Sequence, residues 1–383
     1  MSESSSILLF QRIVPSYRVP VFRRLHEKLG IIVCHTDAVI KGNPSFWREM
    51  DYRNVLLPGG FFLGRQNLFT QRVLPVLRER KPNVVICEYA FGNLTFWKLY
   101  VFRLLFRYRL IGWTHGVKNR DMLSGRRSLH YRLNTFVTSR LDAVLLYSRR
   151  RKEMLIRRIE GIEDRVFIAK NTLATSEYTA TFDEYAARDR GALRTQLGLD
   201  DVFTICFMGR LLPAKRLDLL LSAWEHMQRR FDVNLVVIGA GPEEARFTRY
   251  RTEQRLHTPG AIHDIRESGK YLAASDVMMI PGAVGLGLIH AFSFHLPLVT
   301  CEYSEEGPLH GPEFEYLVHE TNGLVCKSTP ESLADAVEYL VSNPDILAEM
   351  RKNAFLTVRD EANIDNMVEG FRKAIDYVLN TDD

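Results

Sequence analysis

The chain has 383 residues, 46% hydrophobic and 25% charged, with a formal net charge of +5. That length allows two domains with full cores, and the composition is that of a globular protein. Low-complexity tracts and repeats of about 20–50 residues are absent, which excludes solenoids and arrays.

The charge is uneven. Residues 1–170 carry 31 Lys and Arg against 13 Asp and Glu, and the remainder carries 20 against 33. The first half is therefore expected to face something anionic: nucleic acid, anionic lipid or a phosphorylated substrate. The start, MSESSS, lacks the basic residues of a signal peptide, and the apolar run after it stops at Phe10, so no signal peptide is expected. The five cysteines, Cys34, Cys87, Cys206, Cys301 and Cys326, are scattered without metal-ligand spacing and fit a reducing cytosol.

In chain order, Ser6 to Phe10 reads as a strand, the residues to Arg18 as a loop, Val19 to Leu29 as a helix with Pro20 in its first turn, and Ile31 to Cys34 as a second strand. This is a βαβ pattern. Its first loop would lie at the carboxyl edge of a parallel sheet, where such folds bind ligands. Tyr17 and Arg18 there are candidates to touch a polar or phosphorylated ligand; the alternative is a solvated loop. Residues 41–67 read as loop plus an edge strand, Leu68 to Arg80 as a helix, and Val84 to Cys87 as a buried strand ending at Glu88 and Tyr89. Thr95 to Arg109 is an aromatic, basic helix. It suits either a membrane interface or a crossover packed on the sheet. Leu110 to Trp113 is a strand that ends in His115 and Gly116, so His115 should point into the ligand crevice and donate to a sugar hydroxyl or a developing charge. Arg126-Arg127, Arg149 to Lys152 and Arg157-Arg158 read as solvated basic faces, and Asp142 to Leu146 and Val166 to Ile168 as strands.

Residues 173–201 have mixed charge and no strand pattern, and the domain boundary is expected there. A second βαβ series follows. Its elements are strand Phe203–Phe207, a turn from Gly209 to Arg216, helix Leu217–Arg230, strand Leu235–Ile238, turn Gly239 to Pro242, helix Glu243–Gln254, and a short strand or turn from Ala261 through His263 to Asp264. Val277 to Cys301 lacks Asp, Glu, Lys and Arg, but its prolines, glycines and two histidines argue for buried sheet rather than a membrane span. It reads as strand Val277–Ile280, a glycine-rich turn, helix Leu286–Phe294 and strand Leu298–Thr300. The turn at Gly282, Gly285 and Gly287 offers free amides at a helix start, a site for phosphate or diphosphate. Arg210 and Lys215 on the other turn would act as a diphosphate clamp that needs no metal. The fold class expected is α/β, with two tandem Rossmann-like doubly wound domains and a ligand cleft between them. The domains are expected at 1–175 and 176–362, with a helix at 363–383 packing back on the first.

Residues 203–342 resemble the donor-binding domain of family 4 glycosyltransferases, retaining enzymes of the GT-B fold. The resemblance rests on Gly209-Arg210 with Lys215, Val236 to Pro242, Ala274 to Val277, Pro281 through Gly285-Leu286 and His290 to Val299, and Asn322 to Val325. The first half is similar more loosely, at Tyr17 to Pro20, Trp113 to Gly116, Asp142 to Ser148, and Asn171-Thr172. The resemblance implies that Arg210 and Lys215 hold the donor diphosphate and that His115 contacts the donor sugar. Many members carry two glutamates eight positions apart, which here correspond to Gly282 and His290. His290 would then take over the ribose contact. Glu313 is either a replacement carboxylate or a surface residue. Gly241, His263, Gly282, Gly285 and Leu286 complete the expected substrate contacts.

The expected activity is transfer of a sugar from a nucleotide-diphosphate sugar to a glycan or lipid-linked acceptor in bacterial surface polysaccharide synthesis. No metal or cofactor is expected. The expected location is the cytoplasm, peripheral to the inner face of an anionic membrane. A nucleotide-sugar epimerase or an inactive nucleotide-sugar-binding module are the alternatives. Nucleic acid is not expected as a partner, because interleaved aromatic and basic readout motifs are missing.

Overall fold

The computed structural model describes residues 6–39, 45–61, 68–116, 129–250, 253–304 and 308–381. The chain divides into two compact units, Met1–Leu173 with Ile364–Asp383, and Ala174–Asn363.

The first unit contains β1 (Ile7–Phe10), β2 (Ile32–His35), β3 (Asn54–Leu56), β4 (Gly59–Phe61), β5 (Phe69–Gln71), β6 (Val84–Glu88), β7 (Arg109–Thr114), β8 (Ala143–Leu146) and β9 (Val166–Ile168). Seven of these form a parallel sheet in the order β3-β2-β1-β6-β7-β8-β9, while β4 and β5 pair antiparallel. The strands read as continuous apolar runs because both sheet faces are covered. Successive side chains go to opposite faces: Ile7 and Leu9 join one core cluster, Leu8 and Phe10 the other. The helix Ile364–Asn380 belongs to the first cluster, through Met367, Phe371 and Ile375. It lies so close to β9 that a Cβ on Gly370 would sit 2.1 Å from the Ile168 carbonyl oxygen.

The second unit contains β10 (Phe203–Met208), β11 (Val233–Ile238), β12 (Leu256–Gly260), β13 (Val277–Ile280), β14 (Leu298–Cys301) and β15 (Gly323–Cys326), in the order β12-β11-β10-β13-β14-β15. Both sheets reverse direction of build beside their first strand, between β1 and β6 and between β10 and β13. The crevice outside the carboxyl ends at such a reversal is where open α/β sheets take ligands.

Three expected elements are corrected. The helix expected over Leu68 to Arg80 is β5 followed by a helix at Leu74–Arg80. Pro75 fits only a first helical turn, and Phe69 to Gln71 pair with the glycine strand β4. The helix expected over Glu243 to Gln254 is a 3-10 helix at Glu244–Tyr250, and of the strand or turn expected at Ala261 to Asp264 the strand alternative is corrected, since the strand lies earlier, at β12. That edge strand contains Pro259 and is only half-buried, so no apolar alternation marks it. Residues 173–201, which have no strand pattern, hold helices Thr175–Ala186 and Arg190–Gln196. Parts of the residue 41–67 segment, and Arg126-Arg127, lie outside the described residues.

Two motif segments turn out to serve the fold. Asp276 accepts hydrogen bonds from Arg190 at 2.7 Å, from Arg194 at 2.8 Å and from the Thr204 amide at 2.7 Å. Asn322 bonds the Val318 amide, the Tyr316 carbonyl and Thr357. Its neighbour Gly323 has no room for a Cβ beside the Leu298 carbonyl.

Candidate active site

In the first unit the carboxyl edge of the sheet encloses a cavity of about 350 Å³, lined by Gln11 to Ile13, Pro15, Tyr17, Arg18, Glu88, Trp113, His115, Tyr147 and Asn171. Each enters from a strand end or the loop behind it, so the apolar run of a buried strand necessarily delivers its terminal polar residue here. Arg12 is held by Glu88 in a two-pronged pair at 2.9 and 2.6 Å. Arg18 is 6% exposed, so of its two expected roles, ligand contact and solvated loop, the solvated loop is corrected. Its guanidinium lies 5.0 Å from the Trp113 ring centre and 5.8 Å from that of Tyr147, and it donates to the Met367 sulfur at 3.4 Å. Tyr17 stands at the rim, 36% exposed. His115 stacks on Tyr147 at 4.5 Å. Desolvation, followed by the positive charges of Arg151 and Arg18, pushes its imidazolium down to about 4. The ring is neutral at pH 7 and can donate from one nitrogen and accept at the other.

In the second unit two turns meet at the reversal between β10 and β13. Lys215 closes the turn after β10, and its ammonium donates to the Ala283 carbonyl in the turn after β13. The backbones are pressed together: the Gly282 amide donates to the Lys215 carbonyl at 3.1 Å and the Ala283 amide to the Ala214 carbonyl at 2.7 Å. A Cβ on Gly282 would lie 2.2 Å from the Ala214 carbonyl oxygen. Gly282 is thus buried and packed against the turn after β10. Gly241 packs likewise, with the Leu211 carbonyl oxygen 2.5 Å from a would-be Cβ. Arg210 is exposed, with no side-chain partner among the described residues. The expected clamp therefore consists of one open cation and one bound into the turn. Burial lowers the Lys215 pKa, and the nearby Glu313 opposes that shift.

Glu313 is 4% exposed, which corrects the surface alternative. The helical hydrogen bonds after the glycine-rich turn begin at the Leu288 amide, which donates to the Gly285 carbonyl, so the amides of Gly285, Leu286 and Gly287 precede the first helical bond. The helix, Gly287–Ser293, is shorter than expected. His290 stands edge-on to Tyr178 at 4.7 Å; burial holds its pKa down to about 4, and its Nδ1 is buried without a partner. His263 is exposed in the loop before the helix Ile265–Ala274.

Sequence reading missed His310. It is 1% exposed, accepts the Val284 amide at Nδ1 (3.1 Å) and donates from Nε2 to the Cys301 carbonyl (2.8 Å). Together with the Gly311 amide, which donates to the Val284 carbonyl at 2.7 Å, it fixes the glycine-rich turn. A single histidine in a loop carries no periodicity that could have flagged it. The Arg12–Glu88 pair was missed for the same reason, since its members are 76 positions apart.

Burial pushes His310 down to about 4, with the charge of Lys215 adding to the shift. The unfolded chain takes up this proton near pH 6.5, whereas the folded chain refuses it until about pH 4. Stability from this group is complete above pH 6.5 and is lost as pH falls through that window, by about 3 kcal/mol. Urea unfolding at pH 7, 6 and 5 is expected to show a falling free energy, and His310→Gln to flatten the slope.

Residues 202–343 match the family model described as Glycosyl transferases group 1. The match covers both turns of the second unit. Solved structures resemble the chain over nearly its whole length. A glycosyltransferase from Rickettsia africae aligns with a TM-score of 0.72 at 15% identity, over 99% of this chain and 100% of that one. Sucrose-phosphate synthase from Thermosynechococcus elongatus aligns with a TM-score of 0.69 at 16% identity, over 98% and 99%.

The chain has the GT-B fold.

Anabaena HepE, solved in complex with UDP, shares this fold with a TM-score of 0.69 at 15% identity, over 97% of this chain and 99% of that one. Among curated proteins, glycogen synthase of Lactiplantibacillus plantarum is 29% identical over 170 residues, 42% of this chain and 35% of that protein. The GDP-mannose-dependent alpha-(1-6)-phosphatidylinositol dimannoside mannosyltransferase of Mycobacterium tuberculosis is 28% identical over 141 residues, 36% of this chain and 35% of that protein. The matched part thus spans about a third of the length of either relative.

Proposed function

We propose that the chain is a retaining glycosyltransferase that moves a sugar from a nucleotide-diphosphate sugar to a glycan or lipid-linked acceptor. The observation that carries this is the family match over residues 202–343, because it contains Arg210, Lys215 and the glycine-rich turn on which Lys215 is anchored. In this reading the acceptor hydroxyl attacks the anomeric carbon on the face from which the diphosphate leaves. The new C–O bond forms as the bond to the diphosphate breaks, and the hydroxyl proton passes to the departing diphosphate. Arg210, Lys215 and the amides of Gly285 to Gly287 stabilise the charge on that leaving group. His115 orients the donor sugar, and His290 takes the ribose.

The test is a thermal-shift screen of nucleotide sugars with the full chain, followed by assay of nucleoside diphosphate release. Binding without consumption, whatever the acceptor, would leave a binding module; epimerised donor without acceptor would point to an epimerase.

For the acceptor, we infer a lipid-linked glycan at the inner face of a bacterial cytoplasmic membrane, on the path to surface polysaccharide. Helix Leu94–Phe106 exposes Val101, Leu104 and Leu105 on one side, and helix Leu129–Thr138 exposes Leu129, Leu133 and Phe136 at helical spacing. Their carboxyl ends meet where Arg103 donates to the Arg140 carbonyl at 2.8 Å. Apolar stripes among arginines suit an anionic lipid surface. No helix of the described residues is long and apolar enough to cross a membrane. In flotation with phosphatidylglycerol vesicles at low salt the chain is expected to rise with the vesicles, and Leu104→Glu with Leu105→Glu to remain below. A wild-type chain left at the bottom would remove the membrane from this reading.

A further inference from the structure

Among the described residues, the arginine that lines the first unit's cavity has no carboxylate partner. Arg18 is 94% buried by its exposure of 6%, and the sole hydrogen bond of its side chain among the described residues goes to the Met367 sulfur. The nearest acid lining the cavity, Glu88, is already committed to Arg12 through both oxygens. The rings of Trp113 and Tyr147 offset part of the lost hydration but bring no negative charge. A buried guanidinium normally needs an anion and hydrogen-bond acceptors to balance its desolvation. Here the open volume beside it, about 350 Å³, is the space in which such an anion would sit. The neutral His115 and the rim hydroxyl of Tyr17 can hydrogen-bond the remainder of a ligand without adding charge.

We propose that this cavity takes an oxyanion, a phosphate or carboxylate, carried by the acceptor and bound by the forked donors of Arg18. Assignment to the acceptor rests on the transferase reading, in which the donor diphosphate already has Arg210 and Lys215 of the second unit. A guanidinium fork matches both oxyanions, so the two sources are separated by experiment.

The experiment is calorimetric titration of the full chain with glucose 1-phosphate, glucuronate and UDP at constant ionic strength, for wild type and Arg18→Met. Methionine keeps the apolar stem and fills much of the volume. Saturable binding of one oxyanion is expected in the wild type, weakened at least about tenfold in Arg18→Met, with UDP affinity unchanged. Preference between the two sugar ligands identifies phosphate or carboxylate. Without ligand, Arg18→Met is expected to melt no lower than wild type, because it removes an uncompensated charge; an arginine that merely braces the rings would give a lower melting point and no change in oxyanion affinity. Equal affinity in both proteins, or no binding to either at millimolar concentration, overturns the proposal. If the wild type binds an oxyanion through Arg18 yet consumes no nucleotide sugar, the transferase reading fails and the cavity stands. If it consumes nucleotide sugar while Arg18→Met binds oxyanion normally, the cavity proposal alone fails.

Discussion

Lys215→Ala is expected to slow release of nucleoside diphosphate from the donor roughly 100- to 1,000-fold, the loss seen when one preorganised charge is taken from a reacting centre. Lys215 does two things. It supplies positive charge where the leaving diphosphate would gather electrons, and it fastens the turn after β10 to the turn after β13 through the Ala283 carbonyl. Its surroundings bear on how effective that charge is: the side chain lies in a weakly screening, largely buried place, where burial lowers its pKa and Glu313 opposes the shift. Lys215→Met keeps the length and loses both charge and donor, so the unfolding midpoint read beside the rate is what separates the two roles. A fall in kcat with the turns intact, judged by an unchanged unfolding midpoint, would mark the charge as decisive. Undiminished diphosphate release from Lys215→Ala would refute the clamp.

Asp276→Ala is expected to cost about 3–5 kcal/mol, the range found when one partner of a buried ion pair is removed. The carboxylate is 7% exposed and collects Arg190, Arg194 and the Thr204 amide. Arg351 donates to the Asp276 and Ser275 carbonyls, and burial, with the charge of Arg190 next, pulls its pKa down to about 10. Deleting the carboxylate leaves these guanidinium groups crowded, with Asp201 on Arg194, at 2.8 Å, the one carboxylate still paired to any of them among the described residues. At roughly 2–4 °C per kcal/mol for a unit of this size, the melting temperature should fall by about 10 °C. Nucleotide-sugar affinity of the remaining folded protein should hold, since Asp276 sits at the start of β13 and the glycine-rich turn follows its end. A melting point within about a degree of wild type would show that the network carries little stability.

Much of the fold was legible because parallel strands buried on both faces must be short and wholly apolar. ILLF, VVICE, AVLL and VMMI announced themselves, and the loops after them were bound to fall on the sheet's carboxyl edge. Where burial is partial the signal vanished. The edge strand β12 has no alternation, and β5 hid inside an apparently helical run because its partner β4 is two glycines and a phenylalanine. The residue types of the candidate site were legible as well, since cations and glycines between a strand and a helix have few other uses.

What the sequence by itself determined is the alternation of strand and helix and the identity of the residues at each strand's end. Both follow from local burial and backbone sterics. Only the tertiary structure decided which of those residues are exposed, buried or spoken for. It packed Gly282 against Ala214, tied Lys215 to Ala283, gave His310 the glycine-rich turn and left Arg18 without an acid among the described residues. Those outcomes depend on pairings across 26 to 349 positions of chain. The reason is physical: the charge state and free valence of a side chain are set by the dielectric and the partners around it, and neighbours in space supply both.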